Sequence, residues 1–210
     1  MANNDPKVID DYIQALNPPD DALLHALKES DNQGLPQINV SPNEGRLLYI
    51  LARMAGARKI LELGILGGFS TINLARALPE GGKLISLEYL QKNADVARSN
   101  IDYAGLGDKV EIRVGAGLDL LPQLVEEGAG PFDLFFIDAD KENYAAYGRW
   151  AARNVRAGGL LIGDNVFLFR ELLDDTPRAA EMRRFHEEAR AAFDTVAIPT
   201  PDGLLLGIKR

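Results

Sequence analysis

The chain has 210 residues with 23 Lys and Arg against 31 Asp and Glu, a formal charge of −8, 46% hydrophobic residues and no cysteine. The missing cysteine excludes disulfide frameworks, zinc–thiolate sites and thiol catalysis, and the acidic balance lacks the basic face of nucleic-acid binders. No apolar run approaches the roughly 20 residues needed to span a bilayer. The N-terminus has neither the basic start nor the apolar core of an export signal. A cytoplasmic protein without nucleic-acid or membrane partners is expected.

Residues 1–40 read as a helical N-terminal appendage to one domain covering 1–210, with the Pro-containing stretch 18–42 as a seam. Ser41, Pro42 and Glu44 then form a helix start, with Ser41 as N-cap, Pro42 at the first helical position and Glu44 closing a capping box. From residue 58 onward, aliphatic runs at 59–63, 83–88, 109–114, 132–138 and 160–164 alternate with helical patterns at 70–78, 91–104, 118–127 and 143–155. That alternation predicts an α/β fold with a doubly wound, mostly parallel sheet. A charged amphipathic helix at 177–192 follows, then strands at 193–198 and 204–209 joined by a turn at 199–203. This ending is read as a C-terminal antiparallel hairpin that brings the sheet to seven strands.

Ligands of an open parallel sheet bind at the carboxyl ends of its strands, and here those ends are acidic. The first strand runs into Glu62-Leu63-Gly64-Ile65-Leu66-Gly67-Gly68-Phe69-Ser70, a glycine turn opening a helix whose N–H groups face a ligand. The spacing is not G-x-G-x-x-G. Glu62, just before the first glycine, repels a pyrophosphate and suits a cationic ligand such as an amino group. Glu88 ends the second strand near the roughly 20-residue offset at which an acid accepts from ribose hydroxyls. These two acids describe a nucleoside with an amino-acid tail.

Asp138 and Asp140 follow the fourth strand, and Asp164-Asn165 the fifth. If those strands are neighbours, Asp138, Asp164 and Asn165 form an all-oxygen set suited to Mg²⁺, Ca²⁺ or Mn²⁺. The alternative is a helix cap at Asp138 or Asp140 and a turn at Asp164-Asn165. Lys141 stands three residues past Asp138, within reach of the same cleft as a general base or as an exposed helix-start lysine. Tyr144, Tyr147 and Trp150 recur at three-residue spacing, a pattern of core-facing rings. His25 and His186 are too isolated for a catalytic pair, and no G-x-S-x-G elbow is present.

The set Glu62-Leu63-Gly64, Glu88, Phe136-Ile137-Asp138-Ala139-Asp140-Lys141 with Tyr144, Asp164-Asn165 and Asp202-Gly203 resembles the cation-dependent class I S-adenosylmethionine O-methyltransferases. These include the catechol and caffeoyl-CoA enzymes and bacterial small-molecule relatives, and the likeness runs from about residue 37 to the C-terminus. The resemblance implies a Rossmann-like methyltransferase fold and S-adenosylmethionine as cofactor. Glu62, Gly64 and Ser70, with Leu66 and Gly68 in the same loop, would hold the methionine end. Glu88 would meet the ribose and Ala116 the adenine, with Val40, Asp138, Asp140 and Tyr147 lining the cleft.

Asp138, Asp164 and Asn165 would hold a divalent cation, Mg²⁺ first, and Lys141 and Asp138 would be catalytic. The acceptor would be an aromatic small molecule with a vicinal diol, and the assembly a homodimer. The family often has Asp where Glu88 stands, and residues 166–173 lack the glycine usual after the Asp-Asn pair. Two other readings of the same sheet are a nicotinamide-dependent dehydrogenase, against which the glycine spacing and Glu62 count, and a catalytically silent cofactor-binding protein.

Overall fold

The structure is a computed structural model that describes residues 6–210; residues 1–5 of the expected appendage lie outside it. Helices α1 (Pro6–Leu16), α2 (Asp21–Asn32) and α3 (Pro42–Met54) precede the first strand. Asp20 caps α2 by accepting from Leu23 N. At α3 the capping box forms as expected: Ser41 Oγ accepts from Glu44 N, and Glu44 accepts from Ser41 N. The appendage is packed in, since Leu23 and Ala26 of α2 belong to the same apolar cluster as the first strand and the helix after it.

Then follow β1 (Lys59–Leu63), α4 (Phe69–Ala77), β2 (Lys83–Glu88), α5 (Gln91–Tyr103), β3 (Val110–Val114), α6 (Gly117–Glu126), β4 (Phe132–Ile137), α7 (Tyr144–Asn154), β5 (Val155–Asp164), α8 (Pro177–Ala192), β6 (Phe193–Ile198) and β7 (Leu204–Lys209). They form one seven-stranded sheet of order β3-β2-β1-β4-β5-β7-β6. β1 to β5 pair in parallel, while β7 runs antiparallel between β5 and β6. Successive strand residues face opposite sides. Ile60, Leu84 and Phe136 therefore pack under α2 to α5, and Leu61, Leu87 and Phe135 under α6 to α8.

One boundary from β1 onward differs from expectation by more than one residue. The fifth strand begins at Val155, five residues before the expected start, because Val155 pairs with Phe132 and the register then slips before Leu134. Two glycines make the slip possible. Gly158 has φ of +71°, and a Cβ on Gly159 would stand 2.9 Å from the Asp133 carbonyl oxygen. No helix among the described residues is long and apolar enough to cross a membrane.

The order of strands reverses between β1 and β4. A ligand crevice is expected there, beyond the carboxyl ends of β2, β1, β4 and β5.

Candidate active site

A cavity of about 970 Å³ opens at that switch point. Val40, Gly64, Leu66, Ser70, Glu88, Ala116, Asp138, Asp140, Lys141, Tyr147 and Asn165 all line it. Residues 36–40, ahead of α3, close one side. Gly64 is required by the fold: it has φ of +97°, and a Cβ would stand 2.0 Å from the Asp138 carbonyl oxygen. The backbones after β1 and β4 touch at this point, which brings the glycine loop against the acidic loop.

Three expected site residues stand behind the wall. Glu62 is fully buried and meets hydroxyls instead of the cavity. Ser70 Oγ donates to its Oε1 at 2.6 Å, and Thr71 Oγ1 and Ser86 Oγ donate to Oε2 at 2.6 and 2.8 Å. The reason is the strand's alternation, which turns Leu61 and Leu63 toward α6 and α7 and Glu62 under α4. Burial pushes its carboxyl up to about 7 against the pull of the three hydroxyls, with Asp138 adding repulsion. What the cavity sees of this group is the Ser70 side chain that Glu62 orients. Gly68 caps α4 with φ of +85° and packs on Ala97 and Ile101. Asp164 is 4% exposed, and its neighbour Asn165 forms the wall.

Glu88 does reach the cavity but is also the clasp of the glycine loop. Its Oε2 accepts from Ile65 N and Leu66 N at 3.2 and 3.1 Å, and its Oε1 from Leu90 N and Asn93 Nδ2 at 2.9 and 3.3 Å. Leu66, held between these bonds, takes a φ of +48°.

At the other end, β4 and β5 pair with Ile137 opposite Gly163, so Asp138, just past β4, and Asp164, at the end of β5, each follow that pair. Lys141 is 6% exposed, not a surface lysine. Its Nζ donates to Asp138 Oδ1 at 3.1 Å and to Tyr144 Oη at 2.9 Å. The Tyr144 hydroxyl faces the Asp164 carbonyl at 2.8 Å and the Ile137 carbonyl at 3.1 Å. Burial, with the charges of Asp138 and Asp164, holds its ionisation well above the usual tyrosine range. Tyr147 donates to Asp140 Oδ1 at 2.6 Å, and burial and that bond raise its pKa too.

Asp164 accepts one backbone N–H, from Asn165 at 2.8 Å. Burial, then Asp138 and Glu44, raise its carboxyl to about 7. Asp202, in the β6–β7 turn, accepts from Phe169 N at 2.6 Å with Oδ1, while its buried Oδ2 has no hydrogen-bond partner. No three His, Cys, Asp or Glu side chains among the described residues form a ligand cluster. The candidate cation site is therefore two carboxylates and a carboxamide.

Sequence reasoning assigned no site role to Glu44, Ser86 or Arg178, and left Phe167 and Phe169 open between ring stacking and packing; Phe169 lines the cavity and Phe167 does not. It placed Tyr144 and Asp202 in the family pattern without a role. The signal for Tyr144 was present, since a residue three past Lys141 shares its side of a helical turn. The rest depends on tertiary contacts.

An open, mostly parallel sheet with a large cavity at its switch point, a glycine loop at one end and an acid–lysine cluster at the other, is the arrangement of an α/β enzyme. Residues 15–210 match the model of the O-methyltransferase family. The chain is 48% identical to a catechol O-methyltransferase of Niastella koreensis over 95% of this chain and 96% of that one. It is 44% identical to a catechol O-methyltransferase of Mycobacterium tuberculosis over 91% and 90%. The O-methyltransferase from Bacillus cereus, solved in complex with SAH, superposes with a TM-score of 0.92 at 42% identity, covering 97% of both chains. The chain belongs to the O-methyltransferase family and is an O-methyltransferase.

Proposed function

We propose that the protein transfers the methyl group of S-adenosylmethionine to one hydroxyl of a catechol-type aromatic diol, with a divalent cation, Mg²⁺ first, at Asp138, Asp164 and Asn165. The observation that carries this reading is that one cavity joins the Glu88-clasped glycine loop to the Lys141 cluster. The SAH-bound relative and the two relatives named for catechol support the donor and the acceptor class.

The residues fit both groups. Ser70 and the loop from Gly64 suit the amino-acid end of the donor, Glu88 its ribose, and Ala116, Asp140 and Tyr147 the remaining wall. The donor, when bound, supplies a methyl group on a positively charged sulfur. Asp138 and Glu44 both repel the Asp164 carboxylate, a repulsion that a cation would relieve. The cation, when bound, favours ionisation of a hydroxyl it contacts.

The chain's own residues do the rest. Asp138 and Tyr144 hold Lys141 Nζ at a fixed point beside the acceptor, where its ammonium stabilises phenolate charge as the proton leaves. Phe169, in the loop that Asn165 opens, walls the acceptor end, and the protein gains rate by holding donor carbon and acceptor oxygen in line. Apolar side chains that α1 leaves exposed, Ile9, Tyr12 and Leu16, support the expected homodimer.

Nothing in the glycine spacing or the relatives favours the nicotinamide alternative. Purified protein incubated with S-adenosylmethionine, Mg²⁺ and catechol is expected to yield a monomethyl ether by mass spectrometry. No methyl ether from a panel of vicinal diols, with no binding of S-adenosylhomocysteine, would overturn the reading.

A further inference from the structure

The acceptor end of the cavity carries a cation that the reading above leaves unused. Arg178, early in α8, lines the cavity beside Phe169 and Glu142. Its guanidinium carbon lies 5.8 Å from the centre of the Phe169 ring, and its Nε is buried without a hydrogen-bond partner. Two carboxylates face it: Glu142 Oε1 at 3.5 Å from Nε and Glu171 Oε2 at 3.8 Å from Nη1, on side chains 64% and 53% exposed. Pairs so long and so wet are weak and readily displaced. Lys141, also on the wall, is already engaged by Asp138 and Tyr144. Of the two cations among the described residues that line the cavity, Arg178 is thus the one whose pairs a ligand can displace.

Its position links it to the acceptor and not to the donor. Glu142 follows Lys141 directly, and Phe169 belongs to the loop that Asn165 opens, so Arg178 borders both segments that would face the diol. The Phe169 loop is fixed in place at a cost. Asn165, Leu168, Phe169 and Arg170 all have φ between +54° and +73°, a region that L residues rarely occupy. Val166 N and Phe167 N donate to the Gly203 and Asp202 carbonyls at 3.0 and 2.9 Å, pinning the loop to the hairpin. With Lys141, Phe169 and Arg178 all on the wall of this cavity, a ring placed with its diol at Lys141 would have Phe169 and Arg178 on the remaining wall for its other substituents.

We infer that Arg178 selects acceptors that carry a carboxylate opposite the diol, as 3,4-dihydroxycinnamate does, over neutral or cationic catechols. A carboxylate matches the planar fork of a guanidinium with two parallel hydrogen bonds and replaces the loose Glu142 and Glu171 pairs. This inference rests on the acceptor class proposed above.

Calorimetric binding to the protein saturated with S-adenosylhomocysteine and Mg²⁺ tests it. 3,4-Dihydroxycinnamate is expected to bind about tenfold tighter than its methyl ester. In Arg178→Gln that ratio falls to within about twofold, and Arg178→Lys, which keeps charge without the fork, retains part of it. An ester that binds the unsubstituted protein as tightly as the acid overturns the inference. So does an unchanged ratio in Arg178→Gln, or no binding of either compound. Binding is read without turnover: a preference for the acid with no methyl transfer counts against the proposed reaction alone, and methylation of catechol with no such preference counts against Arg178 alone.

Discussion

At the β1–β2 end of the cavity each buried carboxylate is held by several donors, three hydroxyls on Glu62 and four N–H groups on Glu88. At the β4–β5 end, Asp164 takes one backbone N–H, Asp138 one ammonium, and Asp202 keeps a buried oxygen without a partner. The backbone differs in degree. The donor loop has Gly64, Gly68 and one non-glycine, Leu66, in the left-handed region, whereas the acceptor loop has four non-glycines there, Asn165, Leu168, Phe169 and Arg170. A buried polar group short of partners is costly. The contrast teaches that the acids of the donor end are largely satisfied as folded, whereas those of the acceptor end are left short of partners, as the proposed cation site requires.

The strongest way to break this contrast is at Asp164. Asp164→Ala is expected to lower methyl transfer by more than about 100-fold, since it removes one of two carboxylates that would hold the cation. S-adenosylhomocysteine affinity, measured by calorimetry, stays near that of the unsubstituted protein. Loss of both together would show that the two ends are not separable. Lys141→Met comes next, with kcat down by about 100-fold, as for loss of a positioned proton-transfer or charge-stabilising group. A fall confined to KM would place Lys141 in acceptor binding instead.

Gly64→Ala attacks the point where the ends touch. A methyl group 2.0 Å from the Asp138 carbonyl oxygen, on a backbone with φ of +97°, is expected to lower stability by about 2–3 kcal/mol in denaturant titration. It should also displace Asp138. A neutral effect would mean that the loops can part without consequence.

The smallest effect concerns pH. The Glu62 carboxyl, raised to about 7 in the folded protein, binds its proton more tightly there than in the unfolded chain. Its contribution to stability is therefore full below the unfolded carboxylate pKa and is lost as pH rises toward 7. Thermal midpoints of the unsubstituted protein should fall more between pH 5 and pH 8 than those of Glu62→Gln. Equal falls would mean that Glu62 stays ionised throughout.

The donor end was the more legible in sequence, because its signals are local. A strand running into Gly64 and Gly68 and an acid at the end of the next strand need only βαβ order to be placed. The orientation of Glu62 was also available, since Leu61 and Leu63 on either side mark the opposite face of the strand. At the acceptor end, Asp138 and Asp164 were legible because each ends an apolar run. The repulsion of Asp164 by Glu44 from α3 was not, for no sequence interval relates those elements. The early start of β5 depends on a register slip absorbed by Gly158 and Gly159, which reads in sequence as a simple turn.

The most direct measurement is methyl transfer from S-adenosylmethionine to catechol with and without excess chelator, paired with S-adenosylhomocysteine binding under both conditions. The account predicts a methyl ether that disappears with chelator and returns with added Mg²⁺, while S-adenosylhomocysteine binds equally well in both. Full methyl transfer in excess chelator would contradict it.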